Sequence, residues 1–247
     1  MHGFPTRGVT MAARGSAHSH IRFRVAISVA ALLMLLVVAG GFALAVGTGR
    51  LCITSAERPA DRYEGPELIS TSSPAQVSDR DGDGIPNGRD ILQGALDYVA
   101  TRPRYRSAYY QGGYPTDGCG VCTDVVAAAC RAAGYDLRGL VDADMRARPD
   151  AYTDGDAPDP NIDYRRVRNL RVYFRHAATA LTTDVSEADQ WQAGDIVLFS
   201  DHIGIVSDRR NERGMPYLIH HANPFQLHYE EDVLESYGDI TDHVRLS

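Results

Sequence analysis

One cysteine and two histidines are the residues of this sequence best placed for covalent chemistry. Cys122 stands in Gly120-Val121-Cys122-Thr123-Asp124-Val125-Val126. Apolar or small residues recur at 122, 125, 126, 129 and 133, and Gly134 follows, which predicts a buried helix that stops there. The turn-forming stretch Tyr114-Pro115-Thr116-Asp117-Gly118 lies ahead of it. Cys122 is therefore expected in the first helical turn, where unsatisfied N–H groups and the positive end of the helix dipole favour a thiolate. A thiol so placed is a nucleophile if a base stands beside it, and a small core residue if none does.

The candidate bases come from the last third of the chain, where the apolar period changes. Asp195–Phe199, His202–Ser207 and Tyr217–His221 read as short buried strands, the last two joined by a polar loop at 208–214. Hairpin-linked strands of this length form an antiparallel meander, which brings the start of one strand near the end of the next. His202 opens a strand and His220 lies late in its neighbour, so both can meet the start of the Cys122 helix. The expected chemistry is a thiolate–imidazolium pair of Cys122 and His202, with His220 holding the His202 ring. Successive strand residues face opposite ways, so either His220 or His221 could be the third member. A zinc site from Cys119, Cys122, His220 and His221 is a competing use of the same residues. Cys119 could instead pair with Cys130 or Cys52 as a disulfide.

The elements that must position these groups are mostly helical and come first. Ile91–Ala100, the Cys122 helix, Leu137–Arg148 and Val167–Ala180 carry helical apolar spacing. Helices followed by an antiparallel sheet make an α+β domain over residues 91–247.

Just upstream, Asp79-Arg80-Asp81-Gly82-Asp83-Gly84-Ile85-Pro86-Asn87-Gly88-Arg89-Asp90 has the spacing of a calcium loop. Oxygen ligands fall at Asp79, Asp81, Asp83, Asn87 and Asp90, with the carbonyl of Ile85 and a glycine at the sharp turn. Asp replaces the usual final Glu, and no helix is evident before the loop. The expectation for residues 79–90 is one structural Ca²⁺ that braces the domain, with no part in catalysis.

Residues 1–24 carry four arginines and no acid and read as a cytoplasmic tail. Residues 25–46 form an uncharged run of 22, long enough to span a bilayer, and the arginines ahead of it predict an N-in orientation. A cleaved signal peptide is the alternative, with Ala43-Leu44-Ala45 as a cleavage pattern. Both place the remainder outside the cytoplasm. Residues 47–78, with Pro59, Pro66 and Pro74, read as a linker. The net charge of −7 provides no electrostatic footprint for nucleic acid. All 25 basic residues are arginine.

Five separated motifs follow one another in order: Gly120–Val126, Asp159-Pro160-Asn161-Ile162-Asp163, Ala193-Gly194-Asp195-Ile196-Val197, His202–Asp208 and Glu230-Glu231-Asp232. Together they resemble the bacterial family called domain of unknown function 1287, over about residues 91–247. That family in turn resembles the NlpC-type, papain-like cysteine hydrolases of bacterial cell walls. The resemblance implies a papain-like fold with Cys122 as nucleophile, His202 as base, His220 as the third polar residue and Asp195 as a structural residue before the His202 strand. It implies amide or peptide-bond hydrolysis on a cell-wall peptide. A non-catalytic binding module on the same fold, for a cell-wall or membrane partner, is the alternative. The chain departs from its relatives at Asp142 and Tyr164, where they usually carry histidine.

Overall fold

The computed structural model describes residues 16–65, 78–152 and 157–247, with backbone only for residues 16–30. The expected tail and linker therefore lie partly outside the described residues. The chain divides into two compact units, Met1–Ala45 and Val46–Ser247. The first holds all but the last two residues of helix α1, Ser16–Gly47. Among the described residues no helix is long and apolar enough to cross a membrane. The side chains of α1 are described only from residue 31, so most of a span over 25–46 is visible and its start is not.

In the second unit four helices, α2 (Asn87–Ala100), α3 (Cys122–Ala132), α4 (Leu137–Ala147) and α5 (Val167–Ala177), come before the main strands. Two short strands, β1 (Arg104–Tyr105) and β2 (Cys119–Gly120), precede a sheet of β3 (Thr179–Ala180), β4 (Ile196–Phe199), β5 (Ile203–Arg210), β6 (Pro216–Ile219), β7 (Glu230–Glu231) and β8 (Ile240–Arg245). All its pairings are antiparallel, in the spatial order β3-β8-β4-β5-β6-β7. The domain is thus α+β, and the β4-β5-β6 meander is the one the sequence predicts. A further short parallel pair joins Arg104–Tyr105 to Cys119–Gly120 just ahead of α3.

Both faces of the sheet are covered, so its central strands read as unbroken apolar runs. Ile196, Leu198, Ile203, Ile205 and Ile219 pack with Val125, Val126, Leu170 and Phe174 in the main core. The alternate residues Val197, Phe199, Val206 and Leu218 join Trp191 and Leu234 in a smaller core on the other face. α3 is drawn deep into the main core because α2 approaches it closely. A Cβ at Gly94 would stand 2.5 Å from the Cβ of Ala132, so only small residues fit there.

Several boundaries differ from the sequence expectation. α2 starts at Asn87, inside the acidic loop, not at Ile91. α5 ends at Ala177, and Thr179–Ala180 leaves the helix to pair with β8. The described part of 47–78 is not a free linker. Ser55 donates to the Leu227 carbonyl (2.7 Å) and accepts from the Tyr229 N–H (3.0 Å), and Arg62 donates to Arg210 (2.8 Å). Arg58 pairs with Glu230 and Asp208. The proline-rich composition disguised a segment whose backbone is satisfied by the sheet edge. No disulfide forms: Cys52, Cys119, Cys122 and Cys130 are all free.

Candidate active site

α3 begins at Cys122 because two side chains fix its first turn. Asp124 accepts the N–H of Val121, the residue before the helix (2.8 Å). Arg165 grips the same carboxylate through two bonds, 2.8 and 2.9 Å, with both side chains buried. Gly120 is required by close approach, since a Cβ there would lie 2.0 Å from the Tyr98 hydroxyl. These contacts place Cys122 at the floor of a cleft of about 650 Å³, lined also by Tyr105, Thr123, Arg165, Ser200 and Asp201.

Backbone N–H groups of Ile203, Thr123 and Cys122 itself are directed at the sulfur and favour its thiolate form. The influence of the Ile203 N–H on the thiol places it near the start of β5. His202 precedes β5 and His220 follows β6. In the register Ile205↔Ile219 and Val206↔Leu218, the two fall on one face as diagonal neighbours. Nε2 of His202 lies 2.8 Å from Nδ1 of His220, and Nε2 of His220 lies 3.1 Å from a Glu231 oxygen. Tyr237 stacks on the His202 ring at 4.5 Å.

This chain sets the tautomers. A carboxylate only accepts, so His220 carries its proton on Nε2 and presents a bare Nδ1. His202 must then donate from Nε2, which leaves the lone pair on its Nδ1. That nitrogen is the one free to take a proton from a thiol. His221 takes no part: it is buried, its ring lies against Tyr105 and Tyr229, and neither of its nitrogens has a hydrogen-bond partner. Of the two adjacent histidines, His220 is the one hydrogen-bonded to His202.

The resting ion pair expected from the sequence is not what the surroundings favour. Burial pushes the Cys122 thiol up to about 11, outweighing the helix-start N–H groups. Burial, and then the neighbouring His220 and His221, push His202 down to about 3. Both shifts favour a neutral thiol beside a neutral imidazole, so the proton would move as the thiol attacks. A zinc site is also not formed. Among the described residues the only group of side chains close enough to share a metal is Asp79, Asp81 and Asp83, and the set Cys119, Cys122, His220 and His221 does not gather.

Glu231 was not singled out by sequence reasoning, although it lies in the Glu230-Glu231-Asp232 motif. Its signal would have been strand pairing, since β7 is the next neighbour beyond β6. Gln226 donates to it as well (3.3 Å). Glu231→Gln should lower any turnover by the value of a charge-assisted hydrogen bond, about 1.5–3 kcal/mol or roughly ten- to a hundredfold. His202 is a base only when unprotonated, so activity should be lost as pH falls through its pKa. The acid limb of kcat/KM should therefore lie near 3, well below the ordinary histidine value of 6.5. A pH–rate profile measures both effects.

Asp195 stands away from the cleft in a structural role. It accepts from the Gln192 N–H (2.9 Å), His243 (3.0 Å) and Arg245 (2.6 and 2.7 Å). Asp142 pairs with Arg146, and Tyr164 is buried with its hydroxyl on the Gly113 carbonyl (2.8 Å).

In the acidic loop, ligand oxygens of Asp79, Asp81 and Asp83 lie within 4.8 Å of one another. Asp79 accepts the N–H groups of Gly82 (2.8 Å) and Gly84 (2.9 Å), which curls the loop around its carboxylate. One oxygen of Asp90 is buried without a partner, and its carboxyl is raised by burial and by Asp83, Asp81 and Asp79. Asp79, Asp81 and Asp83 are the carboxylates that gather closely enough to share a hard cation, and Asp90 feels their charge. Asn87 does not join them. Its side chain accepts from the Arg80 N–H (2.9 Å) and donates to Ser78 (3.0 Å) and Tyr135 (2.9 Å). It ties the loop to the residue just past α3 instead. Ile85 is exposed at the loop rim.

The family model described as Domain of unknown function (DUF1287) matches residues 92–246. The chain is 38% identical over 157 residues to "Uncharacterized protein YijF" of Escherichia coli (strain K12), covering 58% of this chain and 75% of that one. No solved structure matches. With the family model spanning most of the folded unit, this chain belongs to the DUF1287 family.

Proposed function

We propose that this protein is a membrane-anchored, extracytoplasmic cysteine hydrolase of papain-like, NlpC-like type that cleaves an amide bond in a cell-wall peptide. The observation that carries the reading is the Glu231–His220–His202 chain, which leaves a bare nitrogen on His202, the residue before Ile203, whose backbone N–H favours the Cys122 thiolate. In the proposed reaction Nδ1 of His202 takes the thiol proton while sulfur bonds to the amide carbon. The carbonyl electrons move onto oxygen, which the N–H groups at the start of α3 hold. The C–N bond then breaks, and the amine leaves with the proton from His202. Water, deprotonated by the same nitrogen, cleaves the thioester and restores the thiol. Glu231 steadies the transient imidazolium through His220.

The anchor reading is supported by α1, whose residues Leu32, Leu33, Met34, Leu35, Leu36, Val37 and Val38 are all exposed with no polar face between them. The wall peptide as substrate follows from the family resemblance and from placing the domain outside the membrane. The raised thiol favours the second reading, a binding module with an inert cysteine. A peptide vinyl sulfone separates the two. The hydrolase reading expects labelling of Cys122 ahead of the other three cysteines, slowed strongly in His202→Ala. Equal labelling of the variant would leave the binding module.

The loop over 79–90 is proposed to take one Ca²⁺ through Asp79, Asp81, Asp83 and Asp90. Bound only by the folded chain, calcium at a hundred times its Kd would stabilise by about 2.7 kcal/mol. Thermal melts should rise with calcium in the parent chain and not in the Asp79→Ala, Asp83→Ala double variant. An unchanged parent up to several millimolar would reject the site.

A further inference from the structure

Among the described residues outside α1, the exposed large apolar ones are Leu51, Ile85, Tyr109, Phe225 and Leu227. Phe225 stands where the chain enters the folded unit, Leu227 lies two residues on in the same loop, and Leu51 follows Gly47 by four residues. A Cβ at Gly47, the last residue of α1, would lie 3.5 Å from the Phe225 ring. The chain then runs along the loop that carries Phe225, with Ser55 bonded to Leu227 and Tyr229.

That loop is built, not slack. Gln226 is turned inward. Its side chain accepts from the Ala222 N–H (2.6 Å) and donates to the carbonyls of His228 (2.7 Å) and His220 (3.3 Å). Its own carbonyl accepts from Thr54 (2.8 Å). With Gln226 pinned inside, the residues on either side are driven out, leaving Phe225 54% and Leu227 61% exposed. Water gains nothing from this arrangement, and an apolar patch held outward by a buried polar residue marks a contact surface.

We propose that the 222–227 loop is a membrane-docking surface, with Phe225 and Leu227, joined by Leu51, entering the interfacial layer of the bilayer that holds α1. The occupant is fixed by chain connectivity: the apolar run over 25–46 ends one residue before the Gly47 contact, so a bilayer is the apolar medium that must lie there. The proposal rests on the anchor reading of that run. Arg50 is exposed in the same segment and suits the headgroup layer. Docking would also orient the site. Gly49 lies against the Tyr105 carbonyl, Tyr105 lines the Cys122 cleft, and Gln226 bonds to Glu231. The cleft would then work at the bilayer surface and not at the end of a free tether.

The test uses the full chain in vesicles whose acyl chains carry bromine, a short-range quencher. Phe225→Trp and Leu227→Trp place reporters on the loop. Arg213→Trp places one in the loop at the opposite end of β6, with buried Trp191 as the common background. Docking predicts blue-shifted emission and severalfold greater quenching at 225 and 227 than at 213. Equal quenching at all three, in protein that floats with the vesicles, overturns the docking surface and leaves the anchor. Protein that fails to float overturns the anchor, and the docking surface with it.

Discussion

Replacing Cys122 by Ala should abolish amide cleavage, and replacing His202 by Ala should come close to doing so. When nucleophile and base act as one unit, loss of either removes nearly the whole covalent route, a drop of about 10⁶ in kcat in a well-studied serine hydrolase. Here the two are not interchangeable. Without Cys122 no thioester forms. Without His202 a thiol raised to about 11 by burial has no acceptor for its proton, so it should be an even poorer nucleophile than an ordinary cysteine. Cys122→Ser should be equally inactive, because a hydroxyl yields its proton to the same base far less readily than a thiol does. His220→Ala should retain partial activity, since His202 would keep its position on Tyr237 while losing the bond that selects its tautomer. Single-turnover and steady-state rates on one substrate would rank the four variants.

Arg165→Met should be the most destabilising of the conservative substitutions near the site. It leaves the Asp124 carboxylate buried without its two guanidinium bonds, with only the Val121 N–H remaining. Breaking a buried pair from one side costs about 3–5 kcal/mol. For a domain of this size that is a fall of roughly 10 °C in Tm. The double change Asp124→Leu with Arg165→Met should recover much of the loss, because no buried charge then remains. It should not recover function, since the first turn of α3 loses the bond that places Cys122. Thermal melts and vinyl sulfone labelling of the same variants separate the two effects.

What was legible in the sequence was periodic. The helix at Cys122, the β4-β5-β6 meander and the placing of His202 and His220 at neighbouring strand ends followed from spacing alone. Pairs far apart in the chain were not legible. Asp124 and Arg165 are 41 positions apart, and nothing local marks an arginine as buried. Glu231 acquires its role from β7, a two-residue strand too short to show a period. The segment 51–64 has the composition of a linker, yet its backbone bonds are made to the sheet edge. The opposing effect of burial on the thiol was not legible, for a physical reason. The helix start lowers a thiol pKa, but burial raises it, and how deeply the sulfur is surrounded depends on tertiary packing that no spacing reveals.

The most direct test of the central claim is to incubate the full chain with purified peptidoglycan and identify released fragments by mass spectrometry, beside the Cys122→Ala chain. The account predicts fragments with a newly freed amine and carboxylate from the parent protein and none from Cys122→Ala. The same fragments from both, or none from the parent while it still binds the wall, would contradict it.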